Sequence, residues 1–162
     1  MNRLSLLSLC VLALGLPVAG PAVAEPLPGP VPARVMAVQD GDTLTVKVRI
    51  WLDQELETRV RIDGIDTPET RSDCAAEKLA AAAAKRHLEA LVAGTAAEVR
   101  LRDVRYDKFG GRVRARVELR DGTDVAQAQI RAGHARAYDG GKRRPWCPTA
   151  QSAPAPEVAQ RP

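Results

Sequence analysis

Residues 44–62 read Leu44-Thr45-Val46-Lys47-Val48-Arg49-Ile50-Trp51-Leu52-Asp53-Gln54-Glu55-Leu56-Glu57-Thr58-Arg59-Val60-Arg61-Ile62. Leu44, Val46, Val48, Ile50 and Leu52 alternate with Thr45, Lys47, Arg49 and Trp51, and a period of two puts each set on its own face of a half-buried strand. The polar Asp53-Gln54-Glu55 then turns the chain. Residues 58–62 alternate again and close a hairpin. A shorter strand is expected before it, over residues 34–38.

Downstream the character changes. Residues 75–92 are Ala-rich and free of Gly and Pro, with Leu79, Ala83, Leu88, Leu91 and Val92 near one helical stripe and Gly94 as the stop. Two more alternating segments follow, residues 98–104 and 113–119, joined by a turn holding Gly110 and Gly111. Asp121-Gly122-Thr123 leads into a second helix, residues 124–132, ended by Gly133. Five short strands with a helix after the third match the OB-fold, a five-stranded Greek-key barrel, here mainly β with about two helices. Such a fold fixes no chemistry by itself.

A chain of 162 residues has room for one ordinary soluble domain, which excludes a multidomain machine. The net charge of +4 allows an anionic partner without demanding one. Arg supplies 19 of the 24 cations; its fork suits phosphate, although a GC-rich genome gives the same bias.

Residues 1–24 read as a cleaved signal peptide: Arg3, an apolar stretch over residues 4–16, and Ala22-Val23-Ala24 as a small-x-small cleavage signal. The apolar stretch, interrupted by Gly15, is too short to cross about 30 Å of hydrocarbon. A lipoprotein reading of Cys10 is disfavoured by the bulky Leu9 before it. The expected location is therefore secreted or periplasmic, with no membrane span after cleavage. Residues 25–33 read as a Pro-rich linker, residues 34–147 as the working domain, and residues 148–162 as a disordered tail. Cys74 and Cys147 remain after cleavage, and in an oxidising compartment they form most simply one disulfide. Free thiols or a crosslinked dimer are the alternatives. Neither cysteine lies in a Cys-x-x-Cys pair or near His at zinc spacing, which argues against sulfur ligation.

Three clusters put acids or cations at strand ends and turns, where side chains stay accessible. They are Asp40-Gly41-Asp42-Thr43, then Arg61 through Asp66-Thr67-Pro68-Glu69, then Asp107-Lys108-Phe109-Gly110-Gly111-Arg112. Each alone also reads as a turn, a helix start or a hairpin loop. The first fails as an EF-hand, because Leu44, Thr45 and Trp51 occupy its fifth, sixth and twelfth positions.

Together and in this order, over residues 35–138, the clusters resemble the staphylococcal nuclease-like (thermonuclease) family. The resemblance implies a Ca²⁺ site in which Asp42 and Asp66 give carboxylate oxygens and Thr67 its backbone carbonyl, a set of hard oxygens suited to that ion. Asp40 would orient water or a ligand behind it. Glu69 would take a proton from the attacking water or position it, and Arg61 and Arg112 would bind phosphate oxygens and neutralise the charge of the transition state. Lys108 would steer the polyanion, and Tyr106 or Tyr138 would stack on a base or touch phosphate. The resemblance has four departures: the 108–112 turn holds one Gly more than the family's pattern, Phe109 stands where Tyr is frequent, the turn between Val48 and Thr58 is longer, and the family's third, C-terminal helix has no counterpart, the domain ending instead at residues 140–147.

The remaining candidates have plainer readings. His87 and His134 lack suitably spaced partners and read as surface or helix-end residues. Trp51 and Trp146 read as packing residues. Arg114 and Arg116 continue the row begun by Arg112, either as a phosphate track or as a solvated face. The function implied is a metal-dependent phosphodiesterase that cuts DNA and/or RNA as a monomer with no stable protein partner; the alternative is a non-catalytic OB-type module that binds nucleic acid or another polyanion.

Overall fold

In β2 (Thr43–Trp51) the inward set Leu44, Val46 and Val48 is buried, while Lys47 and Arg49 reach solvent. That side-chain alternation repeats around the sheet. A computed structural model describes residues 25–147; the expected leader and the expected tail lie outside the described residues. β1 (Val31–Val38), β2, β3 (Gln54–Ile62), β6 (Arg112–Leu119) and β5 (Glu98–Tyr106) form a closed barrel in the order β1-β2-β3-β6-β5. Every pairing is antiparallel except β3 with β6, which is parallel. With its two helices this is the OB-fold. Closure leaves the barrel without a free edge to aggregate.

Leu44, Val46, Val60, Ile62, Val99, Leu101 and Val117 fill the barrel. Helix α1 (Ala75–Ala93) closes one end with Leu88, fully buried and contributing about 1.5–3 kcal/mol. Helix α2 (Val125–Arg131) packs on β6 and α1, with Asp124 capping it by accepting the Gln127 N–H at 3.0 Å. Two short strands, β4 (Ile65–Asp66) and β7 (Arg136–Ala137), make a separate antiparallel pair beside the barrel. Among the described residues no helix is long and apolar enough to cross a membrane.

Several local expectations are corrected. β1 starts at Val31, inside the segment read as linker, because Pro32 and Ala33 pair with β5 and Leu27 already bridges to Val104. The β2–β3 hairpin turns at Leu52-Asp53, so Gln54 and Glu55 are strand residues. Leu79 is 73% exposed, since α1 seats itself by Ala81, Ala84, Leu88 and Val92 instead. Trp51 is 70% exposed at the hairpin tip and packs in no core.

Candidate active site

The Asp40-Gly41-Asp42 turn joins β1 to β2. Asp40 accepts the Asp42 N–H at 3.0 Å, and the Asp42 carbonyl accepts the Ile62 N–H at 2.8 Å, so the turn is stitched to β3. Behind it Gln129 of α2 donates to the Gly41 carbonyl at 2.7 Å and to the Ala84 carbonyl at 3.0 Å, and its Oε1 meets His87 Nδ1 at 2.5 Å. The turn is thus clamped between a strand and both helices.

Asp42 is buried, and three groups satisfy its carboxylate. Oδ1 accepts from Thr43 Oγ1 at 2.9 Å and lies 2.6 Å from Arg61 Nη1, while Oδ2 accepts from Thr67 Oγ1 at 3.0 Å. Arg61 spreads its fork, since Nη2 donates to the Ile65 carbonyl at 3.1 Å. Burial, then the neighbouring Asp42 charge, raises the pKa of Asp40 above its ordinary value.

One cavity of about 810 Å³ is lined by Asp40, Asp42, Arg61, Thr67, Glu69 and Arg112, together with Tyr106, Lys108, Phe109, Arg114, Tyr138 and Arg143. β2 and β3 supply Thr43 and Arg61, the segment after β4 supplies Thr67 and Glu69, and β6 supplies Arg112. Arg112 Nε is paired with Asp107 Oδ2, and its guanidinium carbon stands 5.0 Å from the Phe109 ring. Asp66 is the expected residue that does not line this cavity. It opens to a neighbouring one of about 440 Å³, and Tyr138 lines both.

The sequence profile of the family described as staphylococcal nuclease homologue matches residues 59–154. The chain belongs to the staphylococcal nuclease homologue family. Members of that family are typically nucleases and commonly Ca²⁺-dependent, and its domain acts on or binds nucleic acid. Arg61, Asp66, Thr67, Glu69 and Arg112 of this nuclease homologue fall inside the matched stretch. Asp40 and Asp42 precede it and join the site through the contacts described above. No curated protein matches the chain.

Two oxygens bear on whether a cation fits. Asp66 Oδ1 is buried and takes no hydrogen bond; Arg143 Nε lies 2.9 Å away but is not aligned to donate to it, so the contact is an ion pair alone. A buried carboxylate oxygen so placed has capacity for a hard cation. Among the described residues no three His, Cys, Asp or Glu side chains cluster at metal-holding distance. Of the two acids expected at the ion, Asp42 has both carboxylate oxygens engaged by Thr43, Thr67 and Arg61, and Asp66 keeps the one buried oxygen without a hydrogen bond; both are hard oxygens of the type that Ca²⁺ takes.

The sequence reading missed the segment over this site. Residues 140–147 fold back from β7 so that Arg143 reaches Asp66 and Glu69, and Trp146 Nε1 donates to Asp66 Oδ2 at 2.9 Å. Arg136 stacks on the Trp146 ring at 3.7 Å and donates to the Pro145 carbonyl at 3.0 Å. Burial opposes the charge of Arg143, but the hydrogen bond to Glu69 and the charges of Asp66 and Glu69 raise its pKa. The only sequence cue was the double glycine before Lys142.

The remaining expectations resolve as follows. His87 and His134 stand 4.9 Å apart and brace the clamp through Gln129, a role their spacing concealed. Arg114 pairs loosely with Asp63 and lines the main cavity, whereas Arg116 pairs with Asp103 and Glu118 and does not line it. Cys74 and Cys147 are free thiols gathered about Ser72, whose Oγ accepts the Cys74 N–H at 3.2 Å and lies 3.7 Å from Cys147 Sγ. A hydrogen bond between them lowers the pKa of Cys74 and raises that of Cys147 to about 11.

Proposed function

We propose that this protein is a secreted or periplasmic, Ca²⁺-dependent nuclease that hydrolyses phosphodiester bonds of DNA, and of RNA, with little sequence preference. The observation that carries the reading is the single cavity whose wall holds Arg61, Arg112, Glu69 and Asp42 together. Asp42, Asp66 and the Thr67 carbonyl would hold the ion, which supplies Lewis-acid polarisation of the phosphate when bound. Arg61 and Arg112 grip the non-bridging oxygens and neutralise the charge that grows on phosphorus. Glu69, more than half exposed, orients a water and accepts its proton at a carboxylate oxygen. Tyr106, Lys108 and Phe109 at the rim offer two ring faces and a charge to the flanking nucleotide.

Digestion of plasmid DNA and of RNA, with Ca²⁺ and with EDTA, tests the proposal. Cleavage of either substrate that EDTA abolishes is the expected result, and Glu69→Ala should lower it by about 10²–10⁴-fold. Binding without cleavage in every metal would make the protein a polyanion-binding module instead.

In an oxidising compartment the two thiols around Ser72 would give up two protons, and two electrons to a disulfide-exchange oxidant, and form one bridge. Reducing that bridge is expected to lower stability by about 2–4 kcal/mol while sparing Asp42, Asp66 and Thr67. An unchanged melting temperature after reduction would remove the bridge from the account.

A further inference from the structure

Both carboxylate oxygens of Asp66 are engaged by one short stretch of chain. Trp146 donates to Oδ2, and Arg143 sits 2.9 Å from Oδ1 while its Nη1 bonds Glu69 Oε1. A single guanidinium therefore bridges the acid expected to hold the ion and the acid expected to hold the water. Arg143 lines the main cavity, whereas Asp66 lines the neighbouring one.

The arm that carries Arg143 is fixed at both ends. Tyr138 donates through its N–H to the Gly64 carbonyl at 3.0 Å and through its hydroxyl to the Gly141 carbonyl at 2.7 Å, and at the far end Cys147 donates to Glu77 Oε2 at 3.2 Å. Arg143 itself is held by a hydrogen-bonded ion pair to Glu69 and a bare ion pair to Asp66, is 40% exposed and stands over open cavity. Its side chain can swing away while the arm stays anchored. The Asp66 Oδ1 contact lacks hydrogen-bond alignment, so it is the weaker of the two to give up.

Resting on the nuclease reading above, we propose that Arg143 occupies the cation's place on Asp66, so that Ca²⁺ and the Arg143 guanidinium exclude one another. A dication on Oδ1 would stand within a few ångströms of the guanidinium and be repelled by it, so the ion binds as Arg143 leaves. Displacement also frees Glu69. Arrival of the ion thereby releases the carboxylate that the water needs, and the acids stay paired until then. Arg143 is on this account a positioning residue acting through Asp66 and Glu69.

The test is a titration with Ca²⁺ alone, followed by tryptophan emission and by calorimetry, without nucleic acid and with the thiols kept reduced. A Trp51→Phe background leaves Trp146, which bonds Asp66, as the single indole of the chain. Ca²⁺ should shift its emission. Arg143→Gln should lower the Kd for Ca²⁺ by at least about fivefold, the lower end of coupling between competing ligands. Arg143→Lys, which reaches one acid but not both, should fall between. An Arg143→Gln protein that is folded by circular dichroism and binds Ca²⁺ no tighter than the parent overturns the proposal, as does an unchanged affinity in Arg143→Lys if the Gln variant fails to fold. Absence of Ca²⁺ binding in the parent would instead bring down the metal-dependent reading itself.

Discussion

Arg61→Lys should lower nucleic-acid cleavage by about 10²–10³-fold, the size associated with losing one preorganised donor to a developing oxyanion. The substitution keeps the charge, so the loss measures geometry. Arg61 uses one nitrogen on Asp42 and another on the Ile65 carbonyl, with its side chain only 12% exposed. One ammonium cannot occupy both positions. Either the Ile65 carbonyl loses its partner or the buried Asp42 carboxylate does, so the melt should also fall by about 1–3 kcal/mol. Steady-state kinetics beside thermal melts separate the two effects, because a stability loss of that size leaves the protein folded at 25 °C. Turnover within tenfold of the parent would deny Arg61 a part in transition-state binding.

Gly41→Ala should be the most damaging single methyl at the site itself. A Cβ built there lies 2.8 Å from Ala84 Cβ, and 3.1 Å and 3.2 Å from Thr67 Cβ and Cγ2. Ala84 belongs to α1, whose backbone does not yield cheaply, and Thr67 is bonded to Asp42. Overpacking of this kind costs about 1–3 kcal/mol. The strain falls where α1, the Asp40–Asp42 turn and Thr67 meet, so Ca²⁺ affinity should drop together with the denaturation midpoint. A midpoint equal to the parent's would mean that α1 is not pressed against the turn.

The barrel was legible because its strands are half-buried, and a period of two survives wherever one face meets the core, as in Leu44-Val46-Val48 and Ala115-Val117-Leu119. Lone residues were less so. Leu79 and Trp51 are apolar by type, yet the helix seats on small alanines and the hairpin runs past the core, and neither fact is local to those residues. β4 and β7 have two residues each, too short to show any period. Asp42, Arg61, Thr67, Glu69 and Arg112 were named from their clusters, and the fold brings all five to one wall. Arg143 and Gln129 escaped notice, and Trp146 was read as a packing residue without its polar contact, because their partners are distant in the chain: Asp66 for Arg143 and Trp146, Gly41 for Gln129. No spacing rule encodes a segment folding back across the site.

The parallel pairing of β3 with β6 sets Arg59 opposite Arg112 and Arg61 opposite Arg114. Arg61 and Arg112 are therefore separated by a ladder rather than by the loop that precedes Arg112, and Gly111, with φ of 77°, bends outside that ladder. The additional glycine in the 108–112 turn falls in the loop that carries Lys108 and Phe109, outside the paired residues that set the register of Arg61 and Arg112. On the nuclease proposal, lengthening or trimming this loop would retune which polymers enter the groove while the β3–β6 register keeps Arg61 and Arg112 in place.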